Sequence, residues 1–251
     1  MRNTHSRHGV QAIARAAAIL RTLEGAPRGL GISQLAATTQ LPKSTVHRLV
    51  TALAAEQLAS QDSEGRVRLG SAIARLGAAS REALGEQLRP VLVDLRRRLD
   101  ETVDLAVLDG AAVRFIDQIP APHRLRAMSS VGELFPLHCT ANGKALLATM
   151  PVGQVEALLP VRLERFTPQT IVSRKNLLEE LSHVGESGVA FDREEHTEGI
   201  CAVGAAVGDE TAAISVPVPA LRFYGREKEL AEAIGDAASR ADKALARAIA
   251  I

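Results

Sequence analysis

Apolar residues near the start of the chain recur at the three-and-four spacing of an amphipathic helix. Val10, Ile13, Ala14, Ala17, Leu20 and Leu23 fall on one stripe, and Gly25, Pro27 and Gly29 end the segment. A short second helix carries Leu35 and Ala36. Ser33 is its expected N-cap, because a serine oxygen can accept a bond from an orphan amide. Gln40 and Leu41 make a tight connection, and Pro42 suits the first position of a helix, where its missing N–H costs nothing. From 42 to 56, Val46, Leu49, Val50 and Leu53 form an inward stripe. Ser44, Arg48 and Thr51 lie on the opposite face, with Lys43 in the first turn and His47 on the flank. Residues 58–61 and 66–69 then read as two extended pieces around Asp62, Ser63, Glu64 and Gly65, a β-hairpin whose Arg66 and Arg68 share a face.

The rest of the chain mixes both periods. Residues 71–99 predict one or two helices, with Leu84, Leu88, Val91, Leu92, Leu95 and Leu99 as the apolar stripe and Pro90 as a kink or break. Residues 103–108 and 113–119 predict a hairpin turning at Asp109 and Gly110, and residues 125–130 a third strand. Helices are expected over 141–150 and 173–186, the second capped by Ser173 and followed by Gly188. Strands are expected over 189–191, 201–207 and 212–218, and a closing amphipathic helix over 227–251. Hairpin-linked strands among helices predict an α+β domain with an antiparallel sheet.

Charge changes this picture. The net charge of +1 conceals +6 over residues 1–75 and −5 over the remainder, so the basic part is the helical part with the hairpin. That suits a polyanionic partner. Aromatic residues are only 2% of the chain, which argues against single-stranded nucleic acid held by base stacking. Duplex DNA needs no aromatics. A helix, a turn and a second helix with a cationic, hydrogen-bonding outer face, followed by a basic hairpin, predict a winged helix-turn-helix. Lys43, Ser44, Thr45, His47, Arg48 and Thr51 are the expected groove and phosphate contacts, and Arg66 and Arg68 the wing contacts. No apolar run is long enough to span a membrane, and no apolar core follows the polar first ten residues, so neither membrane association nor a secretion signal is expected. Two cysteines, with no C-x-x-C, fit a reducing cytoplasm and no structural metal site.

Several motifs, in order along nearly the whole chain, resemble the IclR family of transcriptional regulators. Residues 41–49 (LPKSTVHRL) resemble its recognition helix, and 68–70 (RLG) the end of its wing. Residues 136–145 (PLHCTANGKA) resemble its P-L-H-x-x-x-x-G-K-A segment. Residues 191–196 (FDREEH) with Gly199 resemble its D-x-E-E-x-x-x-G segment. The resemblance implies a winged helix-turn-helix over 1–70, a linker helix over 71–84, and a GAF-like effector-binding and oligomerisation domain over 85–251. It also implies homodimers that can associate as tetramers, a palindromic double-stranded operator and a small-molecule effector, with no cofactor. Carried over by position, the pocket would include the amides of Ala141 and Asn142, with Asp192 binding a ligand hydroxyl or orienting a loop. Ile200 and Ala202 would form its wall and Ser215 would add a hydroxyl.

This chain departs from the family at three places. Gln40 stands where glycine is usual in the turn, at a cost on the order of 1 kcal/mol if the backbone is left-handed there. Ala202 and Pro217 stand where several members carry Cys and Ser. Both changes remove polar groups, which implies an effector less polar than a small keto acid: an aromatic or longer carboxylic acid.

Other chemistry is weakly supported. Asp192, Glu194, Glu195, His196 and Glu198 cluster, and a solvated turn is the expectation over a metal site. Cys139 and Cys201 are expected to be small buried residues, and His138 a core histidine. A hydrolase using His138 or His196, and a ligand-binding module that contacts protein instead of DNA, are the competing readings. The nucleophile-elbow, zinc-helix and phosphate-loop motifs do not occur, so the chain is expected not to be an enzyme.

Overall fold

The computed structural model describes residues 4–208 and 212–249, with side chains from residue 11 to 247 outside that gap. The chain divides into two compact units, Met1–Arg81 and Glu82–Ile251.

The first unit opens with α1 (Thr4–Glu24), α2 (Ile32–Thr39) and α3 (Lys43–Ala55), followed by a hairpin of β1 (Ala59–Gln61) and β2 (Val67–Leu69). Its core gathers Ile19, Leu23, Leu35, Val46, Val50, Leu53, Ala59 and Val67. The stripe on α1 is rotated from the expected one. Ile19 is fully buried, while Ile13 is 72% exposed; the side chain of Val10 lies outside the described residues. Ile19 is one step along the helix from the pattern, and it is the residue that meets Leu35 and Val46 in the core. The start of α2 also differs. Gly31, not Ser33, is the N-cap, and Gln34 Oε1 accepts the Gly31 amide at 2.9 Å. A side chain three residues into the helix therefore does the work expected of the serine.

Gln40 ends α2 at φ +55°, and its amide still donates to Ala36 O. The turn keeps left-handed geometry without glycine. The hairpin is antiparallel, with Ser60 opposite Arg68. Leu30 adds an isolated bridge to Val67, extending this small sheet. Gly70 follows β2 where any side chain would collide, since a Cβ there would lie 2.0 Å from Gln57 O.

One helix, α4 (Ser71–Leu99), runs through Pro90 without a break. The second unit continues with β3 (Val103–Asp109), β4 (Ala112–Ile119), β5 (Leu134–Pro136), α5 (Ala141–Leu147), α6 (Val152–Leu158) and α7 (Arg174–Ser187). It ends with β6 (Ala190–Arg193), β7 (Ile200–Val207), β8 (Ala212–Pro219), α8 (Ala220–Phe223) and α9 (Glu227–Ile249). The six strands pair antiparallel in the order β5-β4-β3-β8-β7-β6.

Both faces of this sheet are covered, which is why β3, β7 and β8 are apolar almost throughout. One face packs Leu105, Val203, Ile214 and Val216 against Leu88, Leu92 and Leu95 of α4 and Leu230 and Ile234 of α9. The other packs Ala106, Val113, Phe115 and Ala213 against Leu146 and Leu147 of α5 and Leu177 and Leu181 of α7.

Residues 125–130 are not a strand; the third strand is β5. Side chains from elsewhere in the unit take carbonyls of this segment. Thr102 Oγ1 donates to Ala127 O at 2.8 Å, and Gln118 Nε2 to Ser129 O at 2.7 Å. With those bonds made, the segment needs no ladder. The short helices α6 and α8 were not expected from the periodicity.

Candidate functional site

On α3 the apolar stripe fixes which groups face outward. Val46, Val50 and Leu53 are buried, so Lys43, Ser44, His47, Arg48 and Thr51 are exposed, with Thr45 half-buried. Thr51 Oγ1 donates back to His47 O at 3.0 Å, leaving an acceptor lone pair outward. Among the described residues no carboxylate pairs with Lys43 or Arg48. The wing is different. Arg66 pairs with Glu64 at 3.3 Å and Arg68 with Asp62 at 3.1 Å. These are exposed pairs, worth little in water, and a phosphate can replace either carboxylate. Asp62 also shapes the turn, its Oδ1 accepting the amides of Glu64 and Arg66.

The second site is a cavity of about 400 Å³ in the other unit. Strand alternation builds its floor. Residues facing away from α4 and α9 include Asp104 on β3, Ser215 and Pro217 on β8, and Ala202 on β7, and all four line the cavity. Asp104 and Gly204 both register with Ser215, so the three lie in one row. Gly204 lets α5 come down on the sheet, since a Cβ there would lie 2.9 Å from the Ala141 carbonyl carbon.

All six expected pocket residues, Ala141, Asn142, Asp192, Ile200, Ala202 and Ser215, line this one cavity. Ala141 and Asn142 occupy the first turn of α5, where backbone amides have no partner inside the helix. Thr140 caps that turn, accepting the Gly143 amide. Asn142 is buried, and its Nδ2 has no hydrogen-bond partner among the described residues.

Asp192 accepts the Glu195 amide at 2.7 Å and so orients the loop after β6 as well as lining the cavity. Burial, reinforced by the Glu195 charge, pushes its carboxyl up to about 7. Asp104 was not expected at the site. It accepts Ser129 Oγ at 2.5 Å and Gln118 Nε2 at 2.7 Å, and burial pushes it up to about 6 despite those bonds. Its position in an apolar strand, with polar residues expected to be excluded, was the available signal.

One wall is aromatic. Phe115 meets Phe135 edge-on at 4.9 Å, Phe135 lies 4.6 Å from the His196 ring, and His196 stacks on Phe166 at 5.0 Å. Phe115, Phe135 and His196 face the cavity. Burial lowers the His196 pKa, which favours the neutral ring.

The acidic cluster is not a solvated turn. Asp192 and Glu195 are buried, and Lys144 reaches Glu195 at 2.6 Å and Glu180 at 3.1 Å with no exposure of its own. The reason is Lys144, whose buried ammonium draws Glu195 inward. Among the described residues no group of His, Cys, Asp and Glu has the arrangement of a metal site. Cys139 and Cys201 are buried, and burial raises both thiols, Cys201 to about 11. His138 is buried, with Nε2 2.9 Å from Glu164 O. No described helix is long and apolar enough to cross a membrane.

Each of the two units matches a known domain family. Residues 12–63 match the IclR helix-turn-helix domain, and residues 76–243 match the bacterial transcriptional regulator IclR C-terminal domain. The chain is 50% identical over 230 residues to the HTH-type transcriptional regulator Rv1719 of Mycobacterium tuberculosis, covering 90% of this chain and 89% of that one. It is 39% identical over 194 residues to the HTH-type transcriptional regulator TtgV of Pseudomonas putida, covering 77% and 74%. The fold is similar to the crystal structure of the Thermotoga maritima IclR, with a TM-score of 0.63 at 24% identity over 94% of this chain and 99% of that one. An exposed cationic helix on a helix-turn-helix, joined in one chain to a curled antiparallel α/β domain, thus belongs to the IclR family of DNA-binding transcriptional regulators, and not to an enzyme family.

Proposed function

We propose that this chain reads a palindromic operator in duplex DNA as a homodimer, which can pair into a tetramer, and acts in the cytoplasm. In this reading the reader is residues 1–70, and residues 71–84 link it to the effector domain, 85–251. The observation that carries the proposal is the ridge on α3: Lys43, Ser44, His47 and Arg48 are exposed, while Val46, Val50 and Leu53 are buried and Leu49 is half-buried. Arg48 suits a bidentate contact to guanine, while Lys43, Ser44, Thr45, Thr51 and the wing arginines suit phosphates.

The effector in this proposal is an aromatic or longer carboxylic acid. Its ring would lie along Phe115, Phe135 and His196. Its carboxylate would meet the amides of Ala141 and Asn142, and the unpartnered Asn142 Nδ2 would supply a further donor. A two-carbon acid would leave most of a cavity of about 400 Å³ unfilled. Such a ligand changes operator affinity only by binding one arrangement of the protein better than another.

The test is binding to duplex DNA fragments at rising salt, with and without benzoate or glyoxylate. Affinity should fall steeply with salt, as counterion release demands, and benzoate should shift it more than glyoxylate. Indifference to duplex DNA at low salt would refute the reader, and a preference for glyoxylate would refute the effector class.

A further inference from the structure

The charges around the cavity are unbalanced for an anionic ligand. Three carboxyls line it, Asp104, Asp192 and Glu133, against one guanidinium, Arg126. Lys144 does not line the cavity and is paired with Glu195 and Glu180. Arg126 donates Nη1 to His123 O and is only partly buried. A carboxylate entering this space adds a negative charge where water is being removed, which strengthens the repulsion.

Resting on the acid-effector reading above, we propose that the effector binds together with one proton from solution, which Asp192 holds between its carboxyl and the ligand carboxylate. The step is one proton transfer: an O–H bond of hydronium, or of a buffer acid, breaks, an O–H bond forms on an Asp192 oxygen, and that hydroxyl donates to the ligand carboxylate. Asp192 is the acceptor of choice by geometry. Asp104 has both oxygens occupied, Oδ1 by Gln118 and Oδ2 by Ser129. Asp192 is held by backbone amides of its own loop, and no side-chain donor among the described residues reaches it.

The groups facing Asp192 leave it room to take a proton. On its own loop are Glu195 and His196; Lys144 comes from α5, with Cys139 just before that helix, and Cys201 is on β7. Glu195 disfavours a second negative charge, Lys144 favours it, and burial outweighs both. The two thiols are pushed up and so add no charge near neutrality. Across the cavity, Asp104 and Glu133 oppose an incoming anion and Arg126 attracts it.

The experiment is calorimetric titration of the full chain with benzoate, and with neutral benzamide, in pH 7.5 buffers of different ionisation enthalpy, repeated from pH 6.5 to 8.5. The expected result is uptake approaching one proton with benzoate, affinity falling roughly tenfold per pH unit above neutrality, and neither effect with benzamide. Asp192→Asn should abolish uptake and flatten the pH profile of whatever benzoate binding remains. Its Oδ1 can still accept the Glu195 amide, and its Nδ2 donates to the carboxylate permanently. Benzoate binding with no uptake and no pH dependence in the unaltered protein overturns the inference, and leaves the acid effector standing on Arg126 and the α5 amides. Binding of benzamide alone, or of neither probe, overturns the acid-effector reading and this inference with it.

Discussion

Lys144 Nζ lies 2.6 Å from Glu195 Oε1, and the lysine side chain is fully buried. The pair fastens α5 to the loop after β6, the two segments that bring Asn142 and His196 to the cavity. Glu180 on α7 takes a second bond from the same nitrogen, while Glu195 Oε2 has no partner among the described residues. Lys144→Ala would strand a buried carboxylate and should destabilise the C-terminal unit by about 3–5 kcal/mol. Lys144→Met combined with Glu195→Leu should cost less than the single change, because no charge is left unpaired. Thermal unfolding of the two variants gives the comparison; equal losses would mean the site is packing, not charge.

The cavity carboxyls make stability depend on pH in a stated direction. Asp104 and Asp192 hold their protons up to about 6 and 7 in the folded chain, against 3.8 for the ordinary group. Their contribution is complete below about pH 4 and is lost as the pH rises through those two values. The C-terminal unit without effector should therefore melt at a lower temperature at pH 8 than at pH 5. Asp104→Asn should flatten the curve between pH 4 and 6, and Asp192→Asn between pH 4 and 7. Melting scans across that range, on the parent and both variants, provide the check.

Asp192→Ala should weaken the effector response at least ~10-fold while operator affinity changes little, on the scale of one lost charged hydrogen bond. Asp192 serves both the cavity and the Glu195 amide. Equal loss of effector and DNA binding, measured by anisotropy on a labelled duplex, would assign it a folding role alone.

Much of this architecture was readable from spacing. The α3 stripe, the hairpin after it and the Ser173 cap with Gly188 in the left-handed region follow from local rules, and the structure has all of them. What local rules missed depends on tertiary partners. Ile19 is buried because Leu35 and Val46 meet it there, and nothing along α1 alone marks it. Residues 125–130 have strand-like composition, yet Thr102 and Gln118 claim their carbonyls. Lys144 looks like a surface residue until Glu195, fifty-one positions away, is placed beside it. Asp104 stood out only as a charge within an apolar strand; what holds it, Ser129 and Gln118, comes from the fold. The six pocket positions came from the family resemblance, and the structure gathers them around one cavity.

Gln40→Gly should stabilise the first unit. Gln40 holds φ +55°, which a side chain disfavours, and its amide bond to Ala36 O does not involve the side chain. Relief of about 1 kcal/mol is expected, reduced by the greater freedom of glycine in the unfolded chain. For a unit of this size a gain of several degrees in melting temperature follows. An unchanged or lower melting temperature would show that the Gln40 side chain contributes contacts that offset the strain.

Arg48→Ala separates reading from folding. The guanidinium is exposed, and among the described residues no carboxylate pairs with it. Its removal opens no cavity, since Val46, Val50 and Leu53 on the inner face are untouched. Melting temperature and effector binding should stay at the parent values. Specific operator binding should drop by about 1–3 kcal/mol, roughly 5- to 150-fold, toward the affinity for unrelated duplex. In the proposed reading Arg68 meets phosphate instead, so Arg68→Ala should weaken all sequences alike and reduce the salt slope by about one. Anisotropy titrations on operator and scrambled duplexes at several salt concentrations distinguish these two patterns. Retained discrimination in Arg48→Ala would place sequence reading on another face of the helix.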